Sequence, residues 1–204
     1  MINKDTLFFG SFSINPGNNG TIFFNNKFNE NNINAVYKSF YSNNITDSFN
    51  AAKTLSFGGF AVSMPFKFEI VNLVDKVESP VEKIGAANTV LFLKNKSIAY
   101  NTDWIAAKDY LGKINNIDIL LIAGNGGFSK AIQYACKQLN LNYQIIDRQN
   151  WDKINSTKHY IFNATPVDLG SGENIIDGRP HTKSGKIIAE TQAQLQYEIY
   201  SQLF

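Results

Sequence analysis

Lys67 and Asp103 carry the most specific chemistry in this chain. Lys67 closes the string Gly58-Gly59-Phe60-Ala61-Val62-Ser63-Met64-Pro65-Phe66-Lys67. Asp103 closes Asn101-Thr102-Asp103, shortly after Gly85-Ala86-Ala87-Asn88-Thr89. An ammonium and a carboxylate held side by side can move a proton on or off a sugar-like hydroxyl. A hydride-transferring enzyme needs that proton chemistry beside its nicotinamide. Taken singly, Lys67 also reads as a solvated surface lysine and Asp103 as a helix N-cap.

A second chemical feature is the loop Gly124-Asn125-Gly126-Gly127. It follows the apolar run Ile117-Asp118-Ile119-Leu120-Leu121-Ile122-Ala123, which has the texture of a buried parallel strand. It precedes a helical stretch from Phe128 to Leu139. Glycines there let the backbone approach a pyrophosphate, and the helix N-terminus supplies N–H donors. Ser129 stands where the dinucleotide fingerprint has its third glycine, so an ordinary strand–helix turn is the competing reading. The next strand, Tyr143 to Ile146, ends in Asp147-Arg148. An acid at that strand tip serves NAD and an arginine serves NADP. The chain offers both, and a surface ion pair is the bland alternative.

These features need elements to hold them. Strands are expected at Thr6–Gly10, Ala35–Tyr41, Phe60–Ser63, Ala87–Leu93, Ser97–Asn101 and Tyr160–Asn163. Helices are expected at Thr21–Asn31, from a Thr46-Asp47 cap to Leu55, from Pro65 onward, at Asp103–Leu111 and at Thr191–Phe204.

Composition limits the function classes. The chain has 204 residues, enough for one large domain or two small ones, with 44% hydrophobic and 18% charged residues. A net charge of +2 with scattered Lys and Arg argues against a nucleic-acid surface. The single cysteine, Cys136, excludes an internal disulfide and reads as a buried inert thiol in a reducing compartment. His159 and His181 lack ligand-like spacing, so no metal site is expected. Neither a secretory leader nor a membrane span is read, so the expected location is cytoplasmic.

Taken together, the strings resemble the shikimate dehydrogenase family. The family's Gly-x-Asn-Val-Thr-x-Pro-x-Lys is similar to Gly59–Lys67, with Ala61 for Asn and Ser63 for Thr. Its Gly-Ala-Val-Asn-Thr is similar to Gly85–Thr89, and its Asn-Thr-Asp is Asn101–Asp103 unchanged. Its Asn-Arg-Thr resembles Asp147-Arg148-Gln149, its Asn-x-Thr-Pro is Asn163–Pro166, and its late Gln-Ala is Gln192-Ala193, reached from Gly185 at the family spacing.

The resemblance implies an α/β fold of two domains. An N-terminal substrate domain (1–102, completed by a C-terminal helix 189–204) joins a reduced Rossmann-like, NADP-binding domain (103–188), with the active site in the cleft between them. It implies reversible, NADP-dependent reduction of 3-dehydroshikimate to shikimate, NAD being the less favoured cofactor. Lys67 and Asp103 are implied as the catalytic pair. Ser63, Asn88, Gln192 and Asn18 are implied on the substrate. Gly124, Asn125, Gly126, Gly127, Phe128, Asp147, Arg148, Thr165 and Gly185 are implied on the cofactor. The partner is a cyclic polyol carboxylate, and the chain is a monomer or homodimer.

Two departures qualify the match. The family's Ser-x-Ser-Pro, which holds the substrate carboxylate, falls on Asn18, Gly20 and Thr21. The cofactor half is also short, with the family's Asp-x-x-Tyr region collapsed into Asp177–Thr182. Two other readings follow from these departures: an enzyme for another polyol or cyclic hydroxy acid, and a non-catalytic ligand-binding protein with impaired cofactor binding.

Overall fold

The computed structural model describes residues 2–204 and divides into two compact units, Met1–Thr102 with Ala193–Phe204, and Asp103–Gln192.

The first unit is built on a mixed six-stranded sheet of order β2-β1-β3-β5-β6-β4. The strands are β1 (Leu7–Ser13), β2 (Ala35–Tyr41), β3 (Gly59–Val62), β4 (Lys76–Val77), β5 (Thr89–Leu93) and β6 (Lys96–Tyr100). β1 pairs in parallel with β2 on one side and β3 on the other, while β5 runs antiparallel to both β3 and β6. β1 extends through Ser11-Phe12-Ser13, past the expected end at Gly10, because Phe12 is buried on the other face from Phe9 and continues the alternation. Helices α1 (Asn19–Glu30), α2 (Ile45–Thr54) and α3 (Ser79–Ile84) belong to the same unit.

Cross-strand register orders one face of this sheet into rows. Phe9, Tyr37, Gly59 and Leu91 are level, and two residues further along β1 come Ser11, Ser39, Ala61 and Thr89. The first row is a buried aromatic core shared with Phe24, Phe28 and Tyr200. The second row bears hydroxyls. Core thus gives way to hydrogen-bonding surface within one pleat, toward the C-terminal ends of β1 and β3. Gly59 is a packing requirement, since a Cβ there would stand 2.5 Å from the Val90 carbonyl oxygen and 2.9 Å from the Tyr200 ring. Tyr200 is fully buried, and among the described residues its hydroxyl has no hydrogen-bond partner.

The second unit carries a parallel four-stranded sheet of order β10-β9-β7-β8. Its strands are β7 (Ile119–Ala123), β8 (Asn142–Ile146), β9 (Tyr160–Asn163) and β10 (Ile175–Asp177), with α4 (Asp103–Leu111), α5 (Gly127–Gln138) and the one-turn α6 (Lys153–Ser156). One apolar cluster joins α4 and α5 to Leu120, Ile122, Phe162 and Ile176. The other gathers Leu121, Ala123, Ile146 and Ile161 with Trp151 and Ile154. The strand order reverses between β7 and β9, the position at which open α/β sheets bind ligands. Cys136 is buried, and burial pushes its thiol up to about 12, which leaves it inert.

Several expectations need correction. Pro65 opens no helix: residues 64–68 form turns, and a 3-10 turn follows at Glu69–Asn72. The Phe66 N–H donates to the Ser63 carbonyl (3.0 Å), closing a local turn, and the Ala87 N–H donates to the Lys67 carbonyl (2.8 Å), tying the segment to the residues that lead into β5. The cap of α2 is Asn44, whose side chain accepts from the Thr46 and Asp47 N–H groups, so Thr46-Asp47 lies inside the helix. The C-terminal helix, α7, spans Lys183–Tyr200 and is followed by a 3-10 turn at Ser201–Leu203. It therefore begins well before 189 and ends before 204. The short elements α3, α6, β4 and β10 were not foreseen.

Candidate functional site

The first unit gathers the strings around Lys67 and Asn88 into one hydrogen-bonded net. Asn88 follows Ala87, whose N–H is bonded to the Lys67 carbonyl. The Asn88 amide donates to the Thr102 hydroxyl (2.8 Å), and its carbonyl oxygen accepts from the Thr102 N–H (2.9 Å) and the Thr89 hydroxyl (2.8 Å). Asn101 donates to the Ala86 carbonyl (2.8 Å). The turn after β6 is thereby stitched to the start of β5, with Asn88, Thr89, Asn101 and Thr102 all buried. Asp103 comes next in the chain as the first residue of α4, in the turn where a carboxylate is favoured by the helix dipole, and it is 1% exposed. Lys67 is partly buried, and Ser63 is exposed just past the end of β3.

A contributor absent from the sequence reading is Gln196. Its amide donates to the Thr89 hydroxyl (2.9 Å) and the Asn88 carbonyl (3.2 Å). Gln192 lies one turn earlier on α7 and is partly exposed. The helical repeat after Gln192 was the one available signal for Gln196.

The start of α1 explains what replaces the serine positions. Asn18 is exposed at the N-cap and makes no side-chain capping bond. Gly20 packs on Tyr37: a Cβ there would lie 3.3 Å from the ring and 3.5 Å from its hydroxyl. Burial pushes the Tyr37 phenol far up, and a hydrogen bond with Ser11 pulls it partly back. Thr21 is bonded to Ser39, hydroxyl to hydroxyl (3.1 Å) and N–H to hydroxyl (3.2 Å). Each hydroxyl in the polar row therefore has a partner: Tyr37 for Ser11, Thr21 for Ser39, and Gln196 for Thr89.

The second unit has its own cleft of about 670 Å³ at the reversal point of its sheet, lined by Gly124, Asn125, Asp147, Arg148, Trp151, Thr165, Pro166 and Val167. Five of these residues were expected from sequence, and Trp151, Pro166 and Val167 were not. Gly124 has φ +101°, and a Cβ would stand 2.7 Å from the Thr165 methyl, so the position requires glycine. A Cβ at Gly126, the cap of α5, meets only open space. Ser129 is fully buried and its hydroxyl donates to the Gly124 carbonyl (2.7 Å), closing the loop where the fingerprint has glycine. Open space above the first turn of a twelve-residue helix, beside a cleft, fits a phosphate-bearing ligand.

Asn163 organises the opposite wall. Its carbonyl oxygen accepts from the Thr165 N–H (3.0 Å) and hydroxyl (2.7 Å), and its amide donates to the Val167 carbonyl (2.8 Å) and to Asp177 (3.3 Å). Asp177 and Asp168 both grip Arg179, with Arg179 Nη2 at 2.6 and 2.8 Å. Burial works against the Asp177 charge, but bonds from Arg179 outweigh it and hold the carboxyl below its usual range. Arg179 holds Asp168 low in the same way.

Four expected cofactor residues are not in the lining of this cleft, Gly126 at the cap of α5 among them. Gly127 begins α5. The Phe128 ring packs edge-on against Phe162 (5.8 Å). Gly185 lies against the Arg179 backbone, where any side chain would collide, so its glycine serves packing. Among the described residues no group of three or more His, Cys, Asp and Glu is arranged to hold a metal, and no helix is long and apolar enough to cross a membrane.

Comparison with known proteins gives a consistent answer. A family model described as shikimate dehydrogenase substrate binding domain matches residues 20–90. That segment is similar to the substrate binding domain of the shikimate dehydrogenase family. The chain is 40% identical over 125 residues to the shikimate dehydrogenase (NADP(+)) of Methanococcus vannielii, covering 58% of this chain and 44% of that one. It is 33% identical over 153 residues to the Pyrococcus furiosus protein of the same name, covering 72% and 56%. The crystal structure of shikimate dehydrogenase from Aquifex aeolicus superposes with a TM-score of 0.79 at 26% identity, covering 98% and 94%. The chain spans about half the length of the curated relatives it matches.

Proposed function

We propose that the chain is an NADP-dependent oxidoreductase that interconverts 3-dehydroshikimate and shikimate, with Lys67 and Asp103 as its catalytic pair. The observation that carries this reading is the net around Asn88, which ties the Lys67 segment, Gly85–Thr89 and Asn101-Thr102 together although they are distant in sequence. The relatives' names supply the substrate and NADP(+).

In this reading Ser63, Asn88, Gln192 and Asn18 hold the ring hydroxyls and the carboxylate. Such groups reject a ligand lacking hydroxyls, because they would be left unpaired. Lys67 donates a hydrogen bond to the substrate oxygen and gives up its proton as the ketone becomes an alcohol; Asp103 keeps the ammonium charged and oriented. Gly124, Asn125, Asp147, Arg148 and Thr165 are assigned to the dinucleotide, with the backbone N–H groups of Gly126 and Gly127 toward its phosphates and Arg148 toward a 2′-phosphate, while Phe128 and Gly185 keep the packing roles described above. The nicotinamide, when bound, supplies or accepts the hydride.

The test is Lys67→Ala. Shikimate-dependent nicotinamide absorbance should fall by at least a hundredfold, while calorimetric NADPH affinity stays within threefold of the parent. Undiminished turnover would refute the assignment.

One observation favours a second reading. Gly20 and Asn18 stand where the family carries serine hydroxyls, and Tyr37 fills the space beside Gly20. A chain so altered suits another cyclic hydroxy acid or polyol. Comparing rates on shikimate, quinate and their carboxylate-free analogues separates the two, and a clear shikimate preference eliminates the second.

A further inference from the structure

One wall of the cleft in the second unit is made by neither helix nor strand. β9 ends at Asn163 and β10 begins at Ile175, and the lining residues Thr165, Pro166 and Val167 lie in the loop between them. Residues 166–168 and 170–173 of that loop are exposed. A segment of this kind opens locally at little cost unless side chains tie it down. Asn163 ties its near end through the Thr165 N–H and the Val167 carbonyl, and the Asn174 amide ties its far end to the His159 carbonyl (2.9 Å). Leu169 packs on the cluster of Leu121 and Ile161. Asp168, next to the lining residue Val167, is tied by charge: Arg179 Nη2 donates to its Oδ1 (2.8 Å).

Arg179 is fixed independently of the loop. Its Nε donates to both carboxylate oxygens of Asp177 (3.0 Å each), and its Nη2 donates to Asp177 Oδ2 (2.6 Å). The Thr182 hydroxyl donates to the Arg179 carbonyl (2.8 Å), and Gly185 packs on the Arg179 backbone. The Arg179 side chain is 13% exposed and that of Asp168 is 73% exposed, so the ion pair joins a preset guanidinium to a carboxylate on the loop. A planar fork can bridge two carboxylates in one geometry, where a lysine offers a single point of charge. So exposed a pair adds little to global stability, and its consequence is local. Arg179 itself is outside the lining of the cleft.

We infer that Arg179 is a positioning residue for this cleft: through Asp168 it holds Thr165–Val167 where they form a wall, and so sets the affinity for a dinucleotide without touching it. This inference rests on the nucleotide reading of the cleft. A wall ordered in advance spares the ligand the entropy of ordering it on binding.

The experiment pairs calorimetric titration of NADPH with amide hydrogen exchange, on the parent chain, Asp168→Ala and Asp168→Glu. Alanine removes the tie. Glutamate keeps a carboxylate for Arg179 but gives up the tight bond that Asp168 Oδ1 accepts from the Gly170 N–H (2.9 Å). Arg179 stays in every variant, because its loss would strip the buried Asp177 of its ion-pair partner. Asp168→Ala should melt within about 2 °C of the parent. Its amides from 165 to 170 should exchange at least tenfold faster while those of β7 and β9 are unchanged, and NADPH should bind at least fivefold more weakly. Asp168→Glu should return both readings to within twofold of the parent. Exchange and affinity of Asp168→Ala within twofold of the parent overturn the inference and leave the nucleotide reading standing, as does faster exchange with unchanged affinity. Equal losses in the alanine and glutamate variants overturn it too, by assigning the effect to the Gly170 turn. A folded parent that fails to bind NADPH overturns the nucleotide reading and the inference with it.

Discussion

Asn88 uses both ends of its amide on neighbours that are themselves buried, so its removal does more than delete contacts. Asn88→Ala would leave the Thr102 N–H and the Thr89 hydroxyl proton without the acceptor they share, and would take a donor from the Thr102 hydroxyl, all away from water. Unsatisfied buried groups of this kind cost about 1–3 kcal/mol each, partly recovered by relaxation. The expected result is a loss of about 2–4 kcal/mol in urea unfolding, with turnover lost as well. A variant as stable as the parent would mean that the net is dispensable. The residue scale also shows what could be read beforehand. Lys67, Asn88 and Asp103 stand out by type within short polar strings. Gln196 and Tyr37 do not, because their roles depend on partners that only the fold brings near; Gln196 meets Asn88 across 108 positions of sequence. Ser129 was noted as a missing glycine, yet its hydroxyl closes the loop that the glycine would have left open.

Among the elements, β7, the glycine loop and α5 were legible as a unit because each signal is local: an apolar run, a glycine cluster, then helical spacing. α3, β4, α6 and β10 were not, since elements of two to six residues owe their existence to tertiary pairing more than to their own pattern. The same locality makes the loop a sharp target. Gly124→Ala places a methyl against the Thr165 side chain and forces a left-handed φ on an L-residue. Such positions cost about 1–2 kcal/mol from backbone strain alone. Gly124→Ala should lower the melting temperature and weaken NADPH binding at least tenfold. Adding Thr165→Ser, which removes the colliding methyl, should restore part of the stability, and absence of any rescue would mean that the collision is not the cause.

For the molecule as a whole, proton linkage follows from the Asp168–Arg179–Asp177 cluster. Both carboxyls are held below their ordinary range by Arg179, against burial in the case of Asp177. A carboxyl lowered in the folded state stabilises the fold fully above its unfolded pKa, about 4. That contribution fades as pH falls through the lower folded value. Urea midpoints should therefore hold steady from about pH 7 to about pH 5 and drop below about pH 4. Asp177→Asn should be less stable at neutral pH and show a shallower acid decline; a parallel decline would place the linkage elsewhere.

Tyr200 leaves the aromatic core with one oxygen atom that no described residue bonds. Its ring touches Phe9 at 4.7 Å and Phe24 at 5.6 Å between centroids, while the hydroxyl is sealed in and unbonded among the described residues. An isolated phenol in hydrocarbon is a handicap of about 1–3 kcal/mol. Dispersion between these tilted rings must outweigh it for the helix to seat there at all, and burial holds the phenol against ionising, so this tyrosine should stay dark to alkaline spectroscopic titration until the chain itself unfolds.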